Sequence, residues 1–154
     1  MPNPKNESTK QTAFISLLRA HDRLHGEFAD LFKRNGLTEP QYNVLRILRG
    51  AGDDGLPCSQ ITERMITRTP DVTRLLDRLE SNGLVQRQRV ETDRRVVLVR
   101  LTPAGSRLLS QLDEPVQKLH EQQFARLNDR ELQDLIRLLD KVVKNHRLDA
   151  HDRI

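Results

Sequence analysis

The segment from Leu84 to Leu101 constrains this chain most. Leu84–Val90 and Val96–Leu101 are β-branched and alternating, and only the polar run Glu91-Thr92-Asp93-Arg94-Arg95 separates them. Two such runs joined by five polar residues read as a β-hairpin. Asn82-Gly83 ends one helical pattern and Thr102-Pro103 starts another, so helices bracket the hairpin on both sides. A chain of 154 residues with one hairpin among helical periodicities is mainly α, and its length suits one continuous domain.

Residues 1–10 read as a polar, mobile tail without the apolar stretch of a secretion signal. From Gln11 to Asn35, Phe14, Leu17, Leu18, Leu24, Phe28, Leu31 and Phe32 fall at helical spacing, and Gly36 suits the C-cap. Thr38-Glu39-Pro40-Gln41 has the form of a capping box. Its helix carries Tyr42, Val44, Leu45, Ile47 and Leu48, stops near Gly50, and gives way to a turn at Asp53-Asp54-Gly55. Ser59–Ile66 reads as a short helix with Ile61, Met65 and Ile66 inward. After a three-residue link, Thr67-Arg68-Thr69, the next helix starts with Thr69 as N-cap and Pro70 at its first position, Asp71 favouring the dipole. Val72, Leu75, Leu76 and Leu79 form its apolar stripe. Beyond the hairpin, Leu108, Leu109, Leu112, Val116 and Leu119 continue a helix that Pro115 should kink or split. Asn128-Asp129-Arg130-Glu131 opens a last helix bearing Leu132, Leu135, Ile136, Leu139, Val142 and Val143.

This order places a winged helix-turn-helix at residues 38–102, flanked by N- and C-terminal helices at 11–37 and 103–147. The central module is too small to cover every apolar face of the flanking helices. Burial against a second copy is the simplest remedy, so these are expected to be dimerisation helices of a two-fold homodimer. In a helix-turn-helix the second helix enters the major groove with its N-terminal residues on base edges. Here its polar face offers Asp71, Thr73, Arg74, Asp77 and Arg78, with Thr73 and Arg74 in the first turns and Arg78 better placed for phosphate. An ordinary surface helix would show such a face too. The hairpin tips the balance: a ribbon after a recognition helix is a wing, and its arginine tip can enter a narrow, A·T-rich minor groove. Asp93 and Arg95 lie two apart, so the carboxylate can orient the guanidinium; the bland alternative is a surface ion pair worth about 0–1 kcal/mol.

Charge supports the same reading. Residues 58–107 hold 10 basic and 6 acidic side chains, and all ten basic ones are arginine, whereas the rest of the chain balances at 16 of each. Arginine suits bidentate phosphate and guanine contacts. The candidate DNA contacts are therefore Ser59, Gln60, Arg68, Thr69, Pro70, Asp71, Thr73, Arg74, Arg78, Asp93, Arg94 and Arg95.

Four stretches together carry a family resemblance: Thr73-Arg74-Leu75-Leu76-Asp77-Arg78-Leu79-Glu80, Gly83-Leu84-Val85, Asp93-Arg94-Arg95 and Leu101-Thr102-Pro103-Ala104-Gly105. At this joint spacing the chain resembles the MarR family of bacterial transcription regulators. The resemblance implies a homodimer of intertwined terminal helices with two winged lobes, bound to a pseudo-palindromic operator in double-stranded DNA. It further implies repression relieved by a small aromatic or lipophilic effector. Thr73 and Arg74 match the family's recognition-helix contacts, Arg95 its minor-groove wing arginine, and Asp93 the carboxylate that orients it.

Leu17, His21 and Tyr42 are the candidate lining of an effector pocket. His21 and His25 have the i, i+4 spacing of two metal ligands but lack a carboxylate–His–Cys set around them, so no metal and no cofactor is expected. The lone cysteine, Cys58, excludes an internal disulfide, fits a reducing cytoplasm and is expected to be an inert thiol. No apolar run reaches the roughly 18 residues of a membrane span. Nucleophile–base pairs, phosphate-cradling glycine loops and metal-ligand spacings are missing, so an enzyme is not expected. The alternative is a winged-helix module for protein contact or non-specific DNA coating; the arginine-tipped wing argues against it, because a protein-binding wing has no need for cation insertion.

Overall fold

The computed structural model describes residues 8–68 and 71–148. The chain falls into two compact units, residues 1–116 and 117–154. In the first, α1 (Thr9–Arg34) is followed by α2 (Glu39–Ala51), a single 3-10 turn at Gly52–Asp54, β1 (Leu56–Pro57) and α3 (Cys58–Arg64). Next come α4 (Val72–Ser81), β2 (Val85–Arg89), β3 (Val97–Leu101) and the start of α5 (Pro103–Gln123). The second unit holds the end of α5 and α6 (Asp129–Leu148).

Helix starts obey local chemistry. Thr38 and Gln41 form the expected capping box: the Thr38 hydroxyl accepts from Gln41 N–H (3.3 Å), and the Gln41 side-chain oxygen accepts from Thr38 N–H (2.9 Å). Asn128 and Glu131 repeat the exchange at α6, both bonds at 3.0 Å. The core of the first unit gathers Phe32, Tyr42, Leu45, Leu48, Ile61, Leu76, Leu79, Val99, Leu109 and Leu112. Each fully buried leucine is worth about 1.5–3 kcal/mol of transfer free energy, so this stripe-to-stripe contact, rather than helix propensity, holds α2, α3 and α4 around the sheet.

Several boundaries differ from the sequence reading. Helix α3 ends at Arg64 because Met65 turns extended and the Asn43 side-chain oxygen accepts the Ile66 N–H at 2.9 Å. Ile66 is consequently 80% exposed instead of inward, and the link to α4 runs over residues 65–71 rather than three residues. Asp71, not Thr69, is the N-cap of α4: its carboxylate accepts from Arg74 N–H at 2.9 Å. Thr69 and Pro70 lie outside the described residues. Helix α5 remains one element through Pro115, although that residue has no N–H for the Gln111 carbonyl.

The sheet is three-stranded and antiparallel, in the order β1-β3-β2. The hairpin register pairs Val85 with Leu101 and Arg89 with Val97, while the unexpected β1 adds Leu56 opposite Val99. The base of the hairpin is tied at one hydroxyl: Thr102 Oγ1 donates to the Gly83 carbonyl (2.6 Å) and accepts from Gly105 N–H (3.1 Å). Gly105 is required there, since a Cβ would stand 2.2 Å from the Leu84 carbonyl oxygen.

Candidate nucleic-acid interface

Helix α4 turns its apolar stripe inward, with Val72, Leu76 and Leu79 buried and Leu75 half-buried. That orientation leaves Thr73, Arg74, Asp77 and Arg78 exposed on the other side. Arg74 and Arg78 edge a recess of about 120 Å³ that Thr38, Gln41, Asp71 and Leu75 complete. The recess lies where the N-termini of α2 and α4 meet, so both arginines stand beside helix ends whose partial positive charge favours anions. Ser59 and Gln60 are exposed on α3, and Arg68 is exposed in the link to α4.

The wing tip is a turn built by Asp93. Val96 N–H donates to the Asp93 carbonyl (3.0 Å), and Arg95 N–H donates to the Asp93 carboxylate (3.0 Å). The carboxylate thus grips the backbone of Arg95, not its guanidinium as the two-residue spacing suggested. The reason is reach: an aspartate closes on the N–H two residues ahead more readily than on the end of a long, exposed side chain. Arg94 and Arg95 are exposed at the tip.

Arg87 escaped the sequence reading. From β2 its Nε donates to Glu80 Oε2 (2.8 Å), its Nη2 to Asp77 Oδ1 (2.5 Å), and its backbone N–H to Glu80 Oε1 (3.0 Å). The Arg87 backbone and side-chain bonds hold the Glu80 carboxyl below its ordinary pKa, and the two acids in turn raise that of the guanidinium. The clue was available: period two puts Arg87 on the same face of β2 as the buried Val85, where a charge needs a partner. Two further ties were equally silent. Arg100 Nε donates to the Asp53 carbonyl (2.8 Å), and Arg49 Nη1 bridges both Asp113 oxygens at 2.9 Å.

The three candidate effector residues lie in different surroundings within one copy of the chain. Leu17 and His21 are exposed on α1, and His21 stacks on His25 at 5.4 Å between ring centroids. Tyr42 is instead part of the core, stacked on Phe32 at 4.2 Å, and burial raises its pKa above the usual 10.0. His25 Nδ1 approaches Glu39 Oε2 at 2.5 Å, which ties α1 to the first turn of α2. Cys58 is half-buried at the start of α3.

The model of the MarR family matches residues 37–97, the stretch from the residue before the α2 cap to the first residue of β3. Among curated proteins, the HTH-type transcriptional repressor IacR of Pseudomonas putida is 30% identical over 132 residues, covering 86% of this chain and 78% of the relative. The chain belongs to the MarR family. A solved MarR transcription factor from Planctomyces limnophilus is 43% identical, with 88% of this chain and 98% of that one covered at a TM-score of 0.69. Bordetella bronchiseptica BpsR, whose DNA binding is regulated by 6-hydroxynicotinic acid, is 26% identical over 86% of this chain and 98% of its own, with a TM-score of 0.75. As a MarR-family member the chain is a winged-helix transcription regulator and not an enzyme. Among the described residues no helix is long and apolar enough to cross a membrane.

Proposed function

We propose that this MarR-family chain acts in the bacterial cytoplasm as a homodimeric repressor of a pseudo-palindromic operator, released by a small aromatic or lipophilic effector. The observation that carries the reading is the pairing of two exposed arginine sets on adjoining elements: Arg74 and Arg78 on α4, and Arg94 and Arg95 on the wing. Thr73 and Arg74 would read base edges in the major groove, with Arg78, Arg68, Ser59 and Gln60 on phosphates and Arg95 in the flanking minor groove. Asp93 serves by shaping the turn that presents Arg95.

Dimerisation fits the apolar side chains left uncovered in each unit, Phe14, Leu17 and Leu18 on α1 and Ile136, Leu139, Val142 and Val143 on α6. In a dimer Leu17 and His21 would be covered by the second copy or would face an effector between copies. A two-fold dimer reads half-sites about one helical turn, or a multiple of it, apart.

The test is selection of genomic fragments by the purified protein, followed by footprinting and repetition against a panel of aromatic acids. An inverted repeat whose protection is lost with one such acid is the expected result. Retention of DNA without sequence preference would favour a coating protein instead, and no retention at all would end the repressor reading.

A further inference from the structure

The recognition helix carries the wrong charge for its task. Between Asp71 and Ser81, three acids (Asp71, Asp77 and Glu80) stand against two arginines, a formal charge of −1. A helix laid against phosphates should not be net acidic, because each uncompensated carboxylate repels the backbone that the arginines attract. Asp71 is occupied as the N-cap, where it accepts the Arg74 N–H. That leaves Asp77 and Glu80.

Asp77 is the more consequential of the two. It sits three residues after Arg74 and four after Thr73, on the same helical face, at the spacing where acid–base side-chain pairs form. Left alone, it would draw the Arg74 guanidinium into an intrahelical pair and present its own charge beside the groove. Arg87 prevents both. Its Nη2 holds Asp77 Oδ1 at 2.5 Å while its Nε and backbone N–H hold the two oxygens of Glu80. The Arg87 side chain is 28% exposed, against 55% for Asp77, so the masking group sits behind the acid it masks.

We propose that Arg87 is a positioning residue for operator binding: it masks Asp77 and Glu80, keeps Asp77 from capturing Arg74, and fixes the first strand of the wing to the recognition helix. This rests on the repressor reading above. Arg87 itself needs no phosphate contact. Its effect on affinity passes through Asp77.

The experiment is a double-mutant cycle on the full-length chain, with operator affinity and its salt dependence measured for the native protein, R87M, D77N and R87M/D77N. The native chain's own binding tests the repressor reading; the cycle tests only the masking. Removing Arg87 should weaken binding by about tenfold over the two lobes of a dimer, the scale of one unmasked Asp77 carboxylate per lobe near phosphates in water. Adding D77N to R87M should recover most of that loss, and D77N in the native background should tighten binding by up to a few-fold. A direct phosphate contact by Arg87 predicts otherwise: R87M lowers the salt slope by about one per lobe, about two for the dimer, and D77N rescues nothing. That pattern, or weaker binding by D77N alone, overturns the proposal. Should R87M fold poorly by circular dichroism, the D77N result and an R87K variant, which keeps the charge but not the fork, still decide it.

Discussion

Gly105→Ala sets two opposing effects against each other. Gly105 lies in the first turn of α5, and alanine there would ordinarily gain about 1 kcal/mol of helix propensity. The added methyl, however, would sit 2.2 Å from the Leu84 carbonyl oxygen and 3.1 Å from Leu101 Cδ2. The nearest atom is backbone, and that carbonyl accepts the Thr102 N–H at 3.1 Å, so relief requires moving the hairpin base. Overpacking of this kind costs about 1–3 kcal/mol, and weakening the Leu84–Thr102 bond adds about 1 kcal/mol. The clash wins, leaving a net destabilisation of roughly 2 kcal/mol, or a fall in Tm of about 4–16 °C for a unit of this size. Urea and thermal unfolding followed by circular dichroism, at fixed protein concentration because assembly shifts both, measure it. Gly50→Ala is the control: it lies in α2 with nothing within 4 Å of the added methyl, and should be neutral or stabilising by up to about 1 kcal/mol. Equal stability of G105A and the native chain would refute the close approach of α5 to the Leu84 carbonyl.

Three other outcomes are expected of the site. Arg74→Ala should cost about 1–3 kcal/mol of operator affinity and relax preference at one position of each half-site, read by binding to single-base operator variants. Arg95→Ala should weaken binding to all sequences and remove a preference for A·T pairs beside each half-site, seen by comparing A·T-rich and G·C-rich flanks. The Glu80 carboxyl lies below its ordinary pKa in the folded chain, so its contribution to stability is present above about 4.5, the unfolded value, and is lost as pH falls through the folded one. Accordingly E80Q should flatten the acid side of a urea-midpoint profile relative to the native chain; an unaltered profile would mean the Arg87 bonds do not hold in solution.

What could be read from the sequence was local. Thr38 with Gln41 and Asn128 with Glu131 announce helix starts because each box is completed within four residues. The hairpin was legible because alternation and turn chemistry are also short-range. The misjudged features depend on partners far along the chain. Asn43 takes the Ile66 N–H across 23 positions and so ends α3 early and exposes Ile66. Strand β1 is two residues long, one of them proline, and exists only because β3 supplies its partner. Within the candidate interface, the exposed arginines were evident from helical and strand periodicity. Arg87 was not, since its importance comes from two acids on a neighbouring helix.

The Thr102 hydroxyl has a bearing on how this protein can change over generations. Because one side chain joins Gly83, two residues before β2, to the first turn of α5, both ends of the ribbon are clasped at one place on the helical body. The route from α4 into α5 is then independent of how far the ribbon extends. Residues at 91–95 can be exchanged or lengthened, at a loop-closure cost that grows only by about 0.6 kcal/mol per doubling, without disturbing α4. The clasp makes the wing a replaceable fingertip: its groove preference can drift while the grip of the hand behind it stays the same.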